Sequence, residues 1–378
     1  MGQVDTSKAL DFVWLGWMLM GVYPIQSYKI WHTCHLILAV SATNIYSLIV
    51  FITQLFYVKD LKYLLDNLPM NVLIIVTTLK FLTVFLTRHE ILGIKDSLSK
   101  LDKRPLKRSQ AENLANLIKF CNRLFIFGFI CYEAVDVMAA VNAGFSNRQH
   151  LLFEIWLPYD WQATATRYWL TFLYQFITQS ALALQSVSSD FSGPIYLMIL
   201  TAHLENVMAR VESLKYDPRK EERENVKELI QCIEDHRVVL NIFDVLQGTV
   251  SHIILCQFVA TALVLVMIAL NYLLFSPNFT EVIALAFFVV AEISQILPCC
   301  YYSNKFQSTT DDIVTSIYSC DWYNQTTEFK KTLIIFMQMT QRGKVIVAGK
   351  VIPVTMATFT SIIKLSYSLL TVAQRIRH

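Results

Sequence analysis

The chain has 378 residues, 54% of them hydrophobic and 16% charged, with a formal net charge of +3 and a mean hydropathy of +0.44. Water-soluble domains carry nearer a quarter charged residues. The composition therefore excludes a soluble globule and points to a polytopic membrane protein. A net charge this small says little, and the information lies in where Lys and Arg fall.

The first segment, Met1–Tyr28, holds Asp5 and Asp11 and lacks a basic start followed by an unbroken apolar core, so no cleavable signal peptide is expected. Seven segments are then long enough to cross a hydrocarbon core of roughly 30 Å as helices. They lie near 32–57, 69–88, 120–144, 166–189, 248–274, 280–303 and 352–375. No Gly-rich or Pro-rich linker divides the chain and no internal repeat is visible, so 1–378 reads as a single domain. The eight cysteines show no Cys-x-x-Cys and none falls in a segment assigned to the outside, so they read as small apolar fillers.

Lys and Arg set the orientation. The N-terminal segment and the connections 88–119, 190–247 and 304–351 carry two, eight, seven and six of them. The alternate connections carry two, one and none, and the C-terminal end two. Positive charge is thus expected inside, with a cytoplasmic N-terminus and an extracellular C-terminus. Asn278-Phe279-Thr280 is then an outer-loop glycosylation sequon, whereas Asn324-Gln325-Thr326 falls inside and is expected unmodified.

The inner connections carry amphipathic stripes: Val226, Leu229, Ile230 and Ile233, then Ile313, Val314, Ile317 and Tyr318. The first is expected to run straight into the fifth span. Acidic residues crowd the polar faces, which disfavours lying on anionic lipid, so a packed cytosolic helical anchor is expected from 190–247 and 304–351.

The last span is the most informative. At about 100° per residue, Thr360, Lys364, Tyr367, Ser368, Thr371, Gln374 and Arg375 share an arc of roughly 120°. Leu365, Leu369, Val372 and Ala373 fall opposite. A charge at the bilayer centre costs about 2.5–3.5 kcal/mol on insertion scales, so Lys364 needs water, a partner or a route to the interface. A continuous polar stripe favours a water-filled path over a dry interface. One helix cannot enclose a pore, so several copies must gather around an axis, giving an oligomeric channel.

The last eighty residues also carry IYSCDWYNQTTEFKKTLIIFMQMTQR, then VAGK, then FTSIIKLSYSLLT. This pattern, at Tyr318, Trp322, Tyr323, Lys331, Met337, Ala348, Gly349, Phe359, Lys364, Tyr367, Ser368 and Thr371, resembles the C-terminal region of insect odorant receptors. The resemblance implies an all-α, seven-helix subunit of a tetrameric, odorant-gated, nonselective cation channel, with the last helix of each subunit lining a central pore. It implies Thr371 and Gln374 near the outer narrowing, with Tyr367, Ser368 and Arg375 within a turn. It implies assembly with a shared co-receptor and a place in the plasma membrane of an olfactory neuron dendrite. The co-receptor carries a long insertion before the fifth span that is missing here, so this chain looks like an odour-tuning subunit. The Ser-Tyr-Ser-x-x-Thr ending favours the odorant branch over the gustatory one, a homomeric ligand-gated channel being the alternative.

By the same resemblance the odorant site lies among spans two, three, four and six, as a mostly apolar pocket. Candidates are Thr77, Lys80 and Phe81; Tyr132, Val135 and Asp136; Tyr168, Phe172 and Phe176; and Phe287 and Phe288. Taken singly, each aromatic is better explained by core packing than by ligand contact; taken together they favour the pocket. An aromatic lining suits a small aromatic volatile. Charges inside a membrane are functional candidates, and Lys80 is expected to pair with Asp136 or Glu133. Glu292 has no partner that sequence can name.

Other chemistry is thin. His32-x-x-His35 lacks a further metal ligand, no nucleotide or hydrolase motif occurs, and neither a cofactor, a metal nor an enzymatic role is expected. The run KLDKRPLKR at 100–108 suits lipid headgroups or solvent, and nucleic-acid binding has no support. A G-protein-coupled receptor also has seven spans, but its N-terminus lies outside. Neither Asp-Arg-Tyr after span three nor Asn-Pro-x-x-Tyr in span seven occurs. Paired broken helices, which would suggest a transporter, are not seen.

Overall fold

A computed structural model describes residues 4–22, 29–56, 61–105, 107–144, 151–152, 157, 159–217, 222–275, 279–341 and 343–377. The chain is almost entirely helical. A short 3-10 turn, Thr6–Leu10, leads into α1 (Asp11–Leu19). Then come α2 (Lys29–Val40), one wide π turn (Ser41–Ile45) and α3 (Tyr46–Phe56). The long helices are α4 (Leu61–Asp102), α5 (Arg108–Gly144), α6 (Ala165–Glu212), α7 (Glu222–Phe275) and α8 (Phe279–Tyr318). After α9 (Thr327–Met339), a two-residue hairpin pairs β1 (Val347–Ala348) antiparallel to β2 (Ile352–Pro353). The chain ends in α10 (Met356–Arg377).

Helix length explains the architecture. At 1.5 Å per residue, α7 with its 54 residues reaches about 80 Å, well over twice a hydrocarbon core. Each long helix is therefore a span with an extension, and the positively charged connections are largely these extensions. The segment 222–247 continues without a break into 248–274. The extensions pack on one another through Val226, Leu229, Cys232, Val239 and Phe243 of α7, Phe306, Ile313 and Ile317 of α8, and Phe329, Leu333 and Phe336 of α9. The Phe243 and Phe306 rings stack at 5.0 Å. Two stripe positions differ from expectation. Ile230 and Tyr318 are exposed: on α7 the packed stripe follows 226, 229, 232 and 239 and leaves Ile230 at its margin, and on α8 it follows 306, 313 and 317 and leaves Tyr318 outside. Asp235 ties three extensions together, accepting from Arg104 (2.8 Å) and Arg210 (2.6 Å).

The N-terminal turn docks on the same layer. Thr6 donates its N–H to Asp102 (2.9 Å), while Ala9, Leu10, Val13 and Trp17 are buried.

Five stretches among the described residues are long and apolar enough to cross a membrane by composition alone, in α2–α3, α4, α5, α7 and α8. The fourth and last of the seven expected spans fall short, for different reasons. In α6 every residue from 185 to 201 is buried. It is the central helix, touching α4, α5, α7 and α8. Protein surrounds this stretch, so it tolerates Gln185, Ser186, Ser188, Ser189 and Asp190, whose side chains bond within the bundle or to α6's own backbone. In α10 the polar residues form the stripe described below.

Candidate functional site

Four helices enclose a cavity. α4 contributes Met70, Leu73, Ile74 and Thr77, and α5 contributes Tyr132, Val135 and Asp136. α6 adds Gln179, Leu182, Ala183 and Ser186, and α8 adds Phe288, Ala291, Glu292 and Gln295. Each set recurs at three- and four-residue spacing, which is one face of one helix. About 70 Å³ is open to the centre of a water-sized sphere. One water needs about 10–15 Å³ on that measure, so there is room for roughly five waters or one small organic molecule.

Five expected residues line this cavity: Thr77, Tyr132, Val135, Asp136 and Phe288. The other six do not. Tyr168, Phe172 and Phe176 continue the α6 face beyond Gln179, and Tyr168 and Phe172 sit in an aromatic cluster with Trp161 and Trp169. Phe81 stacks on Phe85 at 6.2 Å. Phe287, one position from Phe288, turns outward and is 41% exposed.

Lys80 lies beside the cavity, and its expected pairing is corrected. Its Nζ is 2.6 Å from Asp190 Oδ1, with both side chains almost fully buried. Tyr132 Oη and Ser186 Oγ donate to the other oxygen at 3.0 and 3.2 Å. Asp136 instead lies against Gln179, and Glu133 accepts from Ser180 Oγ at 3.1 Å. The geometry excludes the expected pairing. Gln179 and Asp190 are eleven positions apart on α6, about 16 Å of rise, so an amine seated on Asp190 is out of reach of Asp136. Burying two charges is tolerable here because the remaining lone pairs meet donors.

Glu292 does have a partner. Thr261 Oγ1 on α7 donates to its Oε2 at 2.8 Å. Gln257 Nε2 reaches Thr261 Oγ1 at 3.0 Å and also Gln295. The wall formed by α8 is thereby bonded to α7. A second, smaller cavity continues there, between Asp190, Gln257 and Gln295.

Farther along α7, Gln247 clasps the hairpin. It donates to Val347 O at 2.8 Å and accepts from Val347 N at 2.9 Å, while Ser251 Oγ also donates to Val347 O. The hairpin turn uses left-handed backbone at Gly349 (φ 57°) and Lys350 (φ 61°) and delivers the chain into α10.

α10 rests on its protomer through Met356, Phe359 and Ile362, with Ser366 buried on the same side. At 100° per residue Phe359, Ile362 and Ser366 lie about 120–180° from the middle of the Thr360–Lys364–Thr371 line, and Met356 lies at its edge. Thr360, Lys364, Tyr367 and Ser368 are exposed and Thr371 is half-buried. Leu365, assigned by helical phase to the face opposite the stripe, is 52% exposed, because it lies between the two faces rather than on the packed one. Thr360 and Thr371 donate back to their own helix, at 2.9 and 2.8 Å. The polar demand of the described stripe therefore rests on Lys364, Tyr367 and Ser368. The side chains of Gln374 and Arg375 lie outside the described residues, as does Asn278.

The deeper cavity residues were missed because no single one is unusual. The recoverable signal was polar residues at helical spacing in membrane helices: Gln179, Ser186 and Asp190 on one, Glu292 and Gln295 on another.

The profile of the 7tm Odorant receptor family matches residues 60–367. Odorant receptor 33b of Drosophila melanogaster is 27% identical over 365 residues, covering 96% of both chains. Odorant receptor 2a of the same species is 25% identical over 397 residues, covering 99% of this chain and 98% of the relative. Among solved structures, the insect olfactory receptor OR5 from Machilis hrabei in complex with eugenol superposes with a TM-score of 0.78 at 13% identity, over 99% of this chain and 100% of that one. A second structure of the same receptor superposes with a TM-score of 0.77 at 12% identity. This chain is a membrane protein and not an enzyme, and it belongs to the insect odorant receptor family.

Proposed function

We propose that the chain is the odour-tuning subunit of a tetrameric, nonselective cation channel, assembled with a shared co-receptor in the plasma membrane. The observation that carries this reading is the α10 stripe: Lys364, Tyr367 and Ser368 point away from the protomer's own core, so their polar groups need water or other subunits. The volatile binds in the cavity between α4, α5, α6 and α8. The eugenol complex of the structural relative supports a small aromatic ligand.

Gating is a population shift. A ligand that favours one packing of α6 against α8 biases Glu292 and Gln295, which hold Thr261 and Gln257 on α7. α7 in turn holds the hairpin that leads into the pore helix.

Odour-evoked currents recorded with and without the co-receptor test the assembly, with large currents expected only in its presence. Thr371→Val should change ion selectivity or rectification while leaving odorant potency within about twofold. A change in potency alone removes α10 from the pore.

A further inference from the structure

The cavity wall is unevenly supplied with hydrogen-bonding groups. Three of its hydroxyl and amide donors have protein partners: Tyr132 Oη and Ser186 Oγ serve Asp190, and Gln179 Nε2 rests on the Met70 sulfur; Thr77 and Gln295 are the other hydroxyl and amide side chains on the wall. Lys80, the nearest base, is held by Asp190. No Lys, Arg or His is among the described residues that line the cavity, whereas two carboxyl groups, Asp136 and Glu292, are. Glu292 is fully buried. Its Oε2 accepts from Thr261, and its Oε1 has no partner. A buried polar atom left unmade costs far more than a hydrogen bond contributes on average, so an orphan acceptor beside a cavity marks the place where a ligand atom belongs.

We propose that Glu292 is the polar anchor of the odorant site, and that the site prefers volatiles carrying a hydrogen-bond donor: alcohols, phenols and amines. Ethers and esters of the same skeleton offer only acceptors to this wall. Carboxylic acids bring a negative charge to a buried wall with no Lys, Arg or His among its described lining residues. The apolar remainder, chiefly Leu73, Ile74, Leu182 and Phe288, takes the hydrocarbon body. This inference rests on the cavity being the odorant site.

The test uses the full-length chain co-expressed with the co-receptor. Currents are recorded to two matched series, built on the hexyl and benzyl skeletons, each as alcohol, amine, methyl ether, acetate ester and carboxylic acid. The alcohol or amine should act at about ten- to hundredfold lower concentration than the ether. Glu292→Ala should erase that difference. Glu292→Gln, which keeps an acceptor, should retain the alcohol preference and lose the amine preference. Surface labelling identifies any variant that fails to reach the membrane, and the series on the unaltered chain then decides alone. Equal potency of alcohol and ether, activation by ester or acid in preference, or silence toward every alcohol and amine overturns the proposal. So does discrimination that survives Glu292→Ala. Ala183→Phe separates the two readings by filling the cavity. If it leaves all responses intact, the cavity is not the odorant site. If it abolishes them while alcohol and ether were equal before, only the role of Glu292 fails.

Discussion

Replacing Lys80 by Met removes the cation from a buried pair and leaves Asp190 with only the Tyr132 and Ser186 hydroxyls. Breaking such a pair from one side costs roughly 3–5 kcal/mol, because the remaining charge stays buried. Removing both charges leaves no such orphan, so an apolar double replacement is often close to neutral. The expected pattern follows. Lys80→Met and Asp190→Leu should each lower the thermal midpoint in detergent and the surface-expressed fraction. The double variant should recover most of the loss, giving a coupling of at least about 2 kcal/mol in a double-mutant cycle. The control is Lys80→Met combined with Asp136→Asn, which should be additive because Asp136 lies against Gln179 instead. Additive losses in the Lys80–Asp190 cycle, or strong coupling in the control, would refute the reassigned pairing and the argument from helix rise behind it.

Three further outcomes are expected. Gly349→Ala should lower the melting midpoint, since left-handed backbone costs a residue with a Cβ about 1–2 kcal/mol and the new carbon would sit 2.4 Å from the Leu255 side chain; Gly349→Asn should be milder, and equal effects would refute the backbone argument. Gly128→Ala places a Cβ 2.3 Å from the buried Phe191 ring, so overpacking should cost about 1–3 kcal/mol, and an unchanged melting curve would show that α5 and α6 separate easily. Asn278→Gln should remove a glycosidase-sensitive gel shift while Asn324→Gln changes nothing, because the Lys and Arg distribution places Asn324 inside; a shift lost with Asn324 would invert the orientation.

What could be read along the chain was whatever depends on neighbours within one helix. Apolar stretches of span length, the amphipathic stripe at 226 and 229 and the polar phase of α10 are all local periodicities, and five of the seven apolar stretches recur as long apolar helices among the described residues. α6 marks the limit of that reading. Its serines, glutamines and aspartate look like a weak span on a hydropathy scale, yet every residue from 185 to 201 is buried, since polar groups that find partners can be packed inside the bundle.

Pairing across helices was decided only by the tertiary structure. Lys80 meets a carboxylate 110 positions away rather than the nearer acids at 133 and 136. Likewise Glu292 finds Thr261 on another helix, and Phe288 rather than Phe287 turns to the cavity. Periodicity gives each residue an angle about its own axis, but which helix stands there, and how far it has slid, is set by packing the whole bundle at once.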